Sequence, residues 1–162
     1  MKKTHLTDTR FINLELSKSI LKGLQDAGFD QCSPIQEQSL PIALRDRDVA
    51  GQAQTGTGKT ASFLLAVFQR LLNDNSEKKK YPRAIILAPT RELAIQIHKD
   101  ALLLGKHLGF NLALIYGGTD YQKQLKAVQG NVDIIIATPG RIIDFYRQKA
   151  FSLDNIQVMV LD

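Results

Sequence analysis

Five short runs, "DVAGQA", "RAIILAP", "NLALIYGG", "VDIIIATP" and "IQVMVLD", are apolar almost without interruption. A strand with one wet face alternates polar and apolar side chains, whereas a strand covered on both faces does not. These runs therefore predict an α/β fold, a mostly parallel central sheet with helices on both faces and right-handed crossovers. The intervening segments agree. "TASFLLAVFQRLL", after Lys59, is apolar nearly all round, as a buried helix is. After Thr90, the residues Ala94, Ile97, Ala101, Leu104 and Leu108 fall at helical spacing. Shorter helices are expected over Tyr121–Val128 and Arg141–Gln148. Two more precede the first run. Ser17 caps one, with Ile20, Leu21, Leu24 and Ala27 inward and Gly28 ending it; Ser33 caps the other, with Pro34 first. The polar segment "NDNSEKKKYP" is expected to be a mobile surface loop.

A length of 162 residues suits one domain, and 44% hydrophobic residues suffice for a core. No stretch approaches the roughly 20 apolar residues that span a bilayer, so no membrane association is expected. "MKKTHLTDTR" carries no apolar region behind its lysines and does not look like a secretory signal. Cys32 stands alone, which excludes an internal disulfide; it is expected as a semi-buried thiol in a reducing cytoplasm. The net charge of +5 fits a polyanionic partner, although many soluble proteins are as basic. A monomer is the default expectation.

"AQTGTGKT", Ala53 to Thr60 (Ala53, Gln54, Thr55, Gly56, Thr57, Gly58, Lys59, Thr60), lies between an expected strand and an expected helix. In that setting a glycine-rich turn can cradle phosphates. A triphosphate needs many inward N–H groups, and Gly56 and Gly58 permit the backbone angles and close approach. The helix beginning near Gly58 adds its positive end. Lys59 can reach the β- and γ-phosphates of a nucleoside triphosphate, and Thr60 can place a hydroxyl on Mg²⁺. Ala53 stands where the general pattern has glycine. Such a site also needs a carboxylate at the end of a neighbouring apolar strand. Asp162, closing "VMVLD", is the candidate, the alternative being an acid that merely ends a strand. Lys59, Thr60 and Asp162 are thus the catalytic candidates, and Thr60 and Asp162 the metal ligands.

Two further strand-to-helix turns, "PTRE" and "TPGR", share a design. Thr90 and Thr138 can cap the helices that follow, and Pro139 suits a first helical turn. Free N–H groups there suit phosphate oxygens, and Arg91 and Arg141 add charge. Gly117 and Gly118 would let a sugar–phosphate strand lie close to the backbone, a use that rests on the resemblance given below; the alternative for all of these residues is an ordinary strand-to-helix turn. Pro89 and Gly140 complete these turns. Contacts of this kind go to phosphate and sugar, so sequence-specific recognition is not expected.

With "GFDQCSPIQ", "PTRELAIQ", "YGG" and "TPGR" in this order around "AQTGTGKT" and "VLD", the chain from about Phe11 to Asp162 resembles the first RecA-like domain of DEAD-box ATP-dependent RNA helicases. "KTHLT", "DVAGQAQTGTGKT" and "YGGTDYQKQLK" are most similar to a bacterial subgroup, for which the resemblance implies partners in RNA turnover. It implies a RecA-like P-loop domain over residues 1–162, cut at the start of its acidic motif, in a cytoplasmic protein whose second RecA-like domain is not in this chain. It implies RNA as the nucleic acid, adenine reading by Gln36 within the segment that includes Phe29, and Phe11 as an aromatic against the base. Gln36 has a second reading from the residues alone: Ser33-x-x-Gln36 is a capping box. The resemblance further implies that the fragment, lacking the glutamate that follows Asp162 in the family and the second domain's arginine finger, binds nucleotide without hydrolysing it. A P-loop motor acting on no nucleic acid would share "GTGKT" and the strand-end acid, but it does not predict "PTRELAIQ" or "TPGR". A GTP-specific protein would carry an Asn-Lys-x-Asp motif, which this chain lacks.

Overall fold

The computed structural model describes residues 6–54, 56–74 and 82–162. Thr55 of the glycine-rich loop, Lys3 to His5 of "KTHLT" and most of "NDNSEKKKYP" lie outside them. Four of the five apolar runs become strands: β1 (Ala84–Leu87), β2 (Leu112–Ile115), β3 (Ile134–Ala137) and β4 (Val158–Leu161). They form one all-parallel sheet in the order β2-β3-β1-β4, with Ala84 in register with both Ile134 and Val158. The helices are α1 (Lys18–Asp26), α2 (Pro34–Ala43), α3 (Lys59–Asn73), α4 (Arg91–Leu104), α5 (Tyr121–Gln129) and α6 (Pro139–Arg147).

The fifth run, Asp48 to Ala53, is not a strand. It enters no ladder, and five of its six residues are exposed. A strand is held by its neighbour's N–H and C=O groups, and Asp, Ala, Gly and Gln add little preference for extended backbone. The α4 stripe also ends early. Ala94, Ile97, Ala101 and Leu104 are buried, but residues 105–108 form turns and Leu108 is only half-buried.

The described residues cluster into two compact units, Met1–Asn73 with Asp100–Leu108, and Asp74–Lys99 with Gly109–Asp162. In the first, Ile20, Leu24, Leu40, Leu64, Leu65, Phe68 and Leu71 are buried, while the expected inward residues Leu21 and Ala27 are only half-covered. Each full burial contributes about 1.5–3 kcal/mol. Gly28, at φ +76°, follows the end of α1 as expected. Ser17 starts α1, but its side chain does not cap; its N–H donates to Gln69 Oε1 at 2.7 Å. Gly23 is needed by close approach: a Cβ there would lie 2.1 Å from the Leu104 carbonyl oxygen.

In the second unit, β3 is buried along its whole length. Ile135, Ala137, Ala113 and Ile115 pack with Val128 of α5 and with Ile142 and Phe145 of α6. Asp133, 9% exposed, accepts hydrogen bonds from Arg83 Nη2 at 2.7 Å and from the Asn111 N–H at 2.8 Å. The Arg83 guanidinium lies over the Phe110 ring at 5.5 Å. One carboxylate thus ties together the segments entering β1, β2 and β3. β4 is an edge among the described residues, with Met159 and Leu161 exposed at 54% and 74%.

Gly23→Ala is expected to destabilise the chain by about 2 kcal/mol, since the obstruction is backbone and cannot rotate away. Lys22→Ala, one position earlier and exposed, should change stability by less than about 0.5 kcal/mol. Urea unfolding of the two variants checks the contrast.

Candidate nucleotide and nucleic-acid sites

The glycine-rich loop runs into the N-terminus of α3, whose first helical residue is Lys59. Gly56 (φ +80°) and Gly58 (φ +96°) both take left-handed backbone, which only glycine adopts without strain. At Gly56 a Cβ would meet nothing within 4 Å. Gly58 is different: a Cβ there would lie 2.5 Å from Gln36 Nε2 and 2.9 Å from Ser33 Oγ. Thr57 donates its hydroxyl to the Gln54 carbonyl at 2.7 Å, closing the turn. Ala53 is half-buried at its start, and Thr60 follows Lys59 in the first turn of α3.

Gln36 is buried at 2% exposure, and its two competing readings turn out to be compatible. Its Oε1 accepts the Ser33 N–H at 2.8 Å, which is one half of the capping box. Its Nε2 donates to the Gly58 carbonyl at 3.1 Å. A primary amide has two lone pairs and two N–H groups, so each contact consumes one of each pair. One acceptor and one donor remain, the combination that adenine's N6/N7 edge requires. Ser33 and Gln36 thus stand as the capping box expected at the start of α2, with Ser33 Oγ buried beside it.

The segment before α1 is tied to this motif. Cys32 N–H donates to Thr9 C=O, Thr7 N–H to Cys32 C=O, and Phe11 N–H to Asp30 C=O, at 2.8, 2.8 and 3.0 Å. Arg10 pairs with Asp30 at 2.8 Å, and the Thr9 hydroxyl donates to Glu37. Phe11 is therefore fixed beside "GFDQCSPIQ", but as a core residue at 2% exposure, whereas Phe29 is exposed.

The nucleic-acid candidates lie at the C-terminal ends of the second unit's strands. Pro89 and Thr90 follow β1, Gly117 and Gly118 follow β2, and Thr138, Pro139, Gly140 and Arg141 follow β3. Thr90 caps α4 as expected, its hydroxyl accepting the Leu93 N–H at 3.2 Å. Thr138 occupies the N-cap position of α6, but its side chain makes no capping bond. Its backbone N–H instead donates to Ile115 C=O at 2.9 Å, extending the β2–β3 ladder. Gly118, at φ +82°, lies against Arg91, whose Nη1 would be 3.1 Å from a Cβ there. The Arg91 guanidinium also lies over the Tyr116 ring at 5.9 Å, so two separate motifs form one surface. Arg141 lies over the Tyr121 ring at 5.0 Å, and its Nη1 is buried without a hydrogen-bond partner. Asp162 follows β4, with its N–H on the Leu87 carbonyl at 3.0 Å.

Sequence reasoning missed Gln124. It is buried in α5 and holds both backbone groups of Tyr116, the residue that opens "YGG". A glutamine in a helix ordinarily faces solvent, and no local spacing marks this one as inward.

Comparisons with known proteins bear on the same motifs. A family model described as DEAD/DEAH box helicase matches residues 33–162. The chain is 56% identical over 162 residues to the ATP-dependent RNA helicase RhlB of Pseudoalteromonas atlantica, covering all of this chain and 38% of that protein. It is 53% identical to the protein of the same name in Vibrio vulnificus, again covering 38% of it. A solved DEAD box protein from the hyperthermophile Methanococcus jannaschii matches with a TM-score of 0.85 at 36% identity, over 94% of this chain and 41% of that one. The chain thus spans well under half the length of the relatives it matches.

Cys32 is fully buried beside this machinery rather than half-covered. Burial, and then the Glu37 charge, push its thiol up to about 11 from 9.0. Folding therefore favours the protonated thiol, and that contribution, present below pH 9.0, is lost as pH rises to about 11. Iodoacetamide at about pH 8.5 should leave Cys32 unmodified in the folded chain and alkylate it in urea, as followed by mass spectrometry.

Proposed function

Because this chain belongs to the DEAD/DEAH box helicase family, we propose that residues 1–162 are one RecA-like domain, the first of an ATP-dependent RNA helicase of the RhlB-like group. The domain binds ATP with Mg²⁺ and the sugar–phosphate backbone of RNA. A longer protein that contains it couples ATP hydrolysis to separating short RNA duplexes. The observation that carries this reading is the phosphate loop: two glycines in left-handed backbone at the mouth of α3, with Gln36 bonded to the second.

The residues suit the group they would hold. Gly56 leaves open space where a side chain would intrude, and the first N–H groups of a helix lack intrahelical partners. Gln54, Gly56, Thr57 and Gly58 are the described loop residues proposed to line the phosphates, with Thr55 assigned there from the sequence alone, and Lys59 supplies charge for the β- and γ-phosphates. Thr60 and Asp162 are the proposed Mg²⁺ ligands. Gln36 reads adenine with its remaining donor and acceptor. Phe11 and Phe29 are the aromatics proposed for the base, Phe11 held beside the motif by its N–H on the Asp30 carbonyl and Phe29 exposed.

RNA is the proposed polyanion for Pro89, Thr90, Arg91, Gly117, Gly118 and Thr138 to Arg141. The unpartnered Arg141 Nη1 supports this reading, because a buried N–H without an acceptor costs about 1–3 kcal/mol until one arrives. A P-loop motor with no nucleic-acid role leaves that group and the Arg91–Gly118 contact without a use. The same reading makes the protein cytoplasmic and monomeric, with partners in RNA turnover.

The 162 residues alone are proposed to bind nucleotide without turning it over, because arginine-finger stabilisation alone is worth about 10³–10⁵ in rate. Phosphate release should be RNA-stimulated in a full-length protein carrying this sequence and absent from the chain alone. RNA-stimulated turnover by the chain overturns the second statement; RNA-independent turnover by the longer protein overturns the first. Gln36→Ala should weaken ATP binding roughly tenfold and abolish preference for adenine over guanine nucleotides, read by competition binding.

A further inference from the structure

Both arginines on the proposed RNA surface rest on tyrosine rings, and both rings are governed by α5. Gln124 accepts the Tyr116 N–H on Oε1 and donates to the Tyr116 C=O from Nε2, each at 3.0 Å. It also donates to the Thr119 hydroxyl. β2 ends at Ile115, so the amide substitutes for the strand neighbour that Tyr116 lacks. Tyr116 is thereby fixed, with Arg91 over its ring. Tyr121, three residues before Gln124, lies on the same side of α5. Its ring makes an edge contact with Phe145 at 5.0 Å, and Arg141 lies over both rings, at 5.0 and 5.8 Å.

What the arginines lack is as telling as what they touch. No described carboxylate pairs with Arg141, and the pairing of Arg91 is with its exposed neighbour Glu92 at 3.8 Å. A carboxylate would consume the guanidinium's N–H groups, whereas a ring beneath its plane leaves them for an incoming phosphate. A side chain held this way also has less freedom to lose on binding.

We propose that Tyr121 and Gln124 are the positioning residues for RNA binding: Tyr121 holds Arg141 directly, and Gln124 holds Arg91 through Tyr116. This rests on the reading of Arg91 and Arg141 as RNA contacts. Neither Tyr121 nor Gln124 touches RNA; each acts through an arginine.

The test measures affinity for oligouridylate, by fluorescence anisotropy, in a full-length protein carrying this sequence, with a non-hydrolysable ATP analogue. Tyr121→Leu should weaken binding roughly threefold to fivefold, and Tyr121→Phe, which keeps the ring, less than about twofold. The decisive readout is coupling. In an Arg141→Ala background Tyr121→Leu should cost nothing further, and Gln124→Glu, which cannot donate to Tyr116, should cost less in an Arg91→Ala background than alone. Half-saturating RNA in the ATPase assay should rise with kcat unchanged. Penalties that simply add to those of the arginine variants overturn the proposal, as does a Tyr121→Phe as weak as Tyr121→Leu. If Arg91→Ala and Arg141→Ala are themselves silent, the RNA reading of this surface falls, and the proposal with it.

Discussion

Parallel pairing of β1, β3, β2 and β4 is the constraint on which the second unit's surface depends. When every strand points the same way, every loop after a strand emerges at the same edge, where ligands of open α/β sheets gather. Arg91, Gly118, Arg141 and Asp162 come from four separate stretches of sequence and share that edge because of strand direction alone. The opposite edge has a different task. There Asp133 gathers Arg83 and the Asn111 N–H, so the costly buried charge sits where nothing needs to move. The buried charge cluster and the candidate site are separated by the length of four residues of strand.

The first unit solves a different problem, holding a turn in backbone that most residues refuse. Gly56 and Gly58 accept the angles, but glycine also loses the most freedom on folding. The hydrogen bond from Gln36 to the Gly58 carbonyl offsets part of that loss. Gln36 is anchored in turn by the Ser33 N–H and by burial, and the chain before α1 is laced to the same motif through Thr7, Thr9 and Phe11. The turn is therefore restrained by residues more than 20 positions upstream of it.

Most of the fold could be read from the sequence, because burial on both faces leaves unbroken runs of Ile, Val and Leu. Where that reading failed, the missing information was tertiary. "DVAGQA" has the hydropathy of a strand but neither β-branched content beyond Val49 nor a partner. Leu108 keeps helical phase with Leu104, yet Gly105 and the turns after it end α4. Ser17, Thr90 and Thr138 look alike as caps, and only Thr90 uses its hydroxyl. The residues of both candidate sites carried signatures in glycine spacing and strand-to-helix turns. Gln124 carried none, since its partner is a backbone eight residues away whose exposure only the folded chain reveals. The burial of Phe11 was likewise not legible from its place along the chain.

The stacking of Arg141 on Tyr121 also makes this part of the surface indifferent to acidity. A guanidinium remains charged at any pH a cell reaches, and the face of a tyrosine ring attracts it whether or not protons are scarce. Burial, with Asp144 adding to it, raises the Tyr121 hydroxyl's pKa further from neutrality. A histidine or a carboxylate in the same position would have coupled the arginine's orientation to proton concentration. With aromatic support, its geometry is a constant of the fold, and acidification within the living range leaves it untouched.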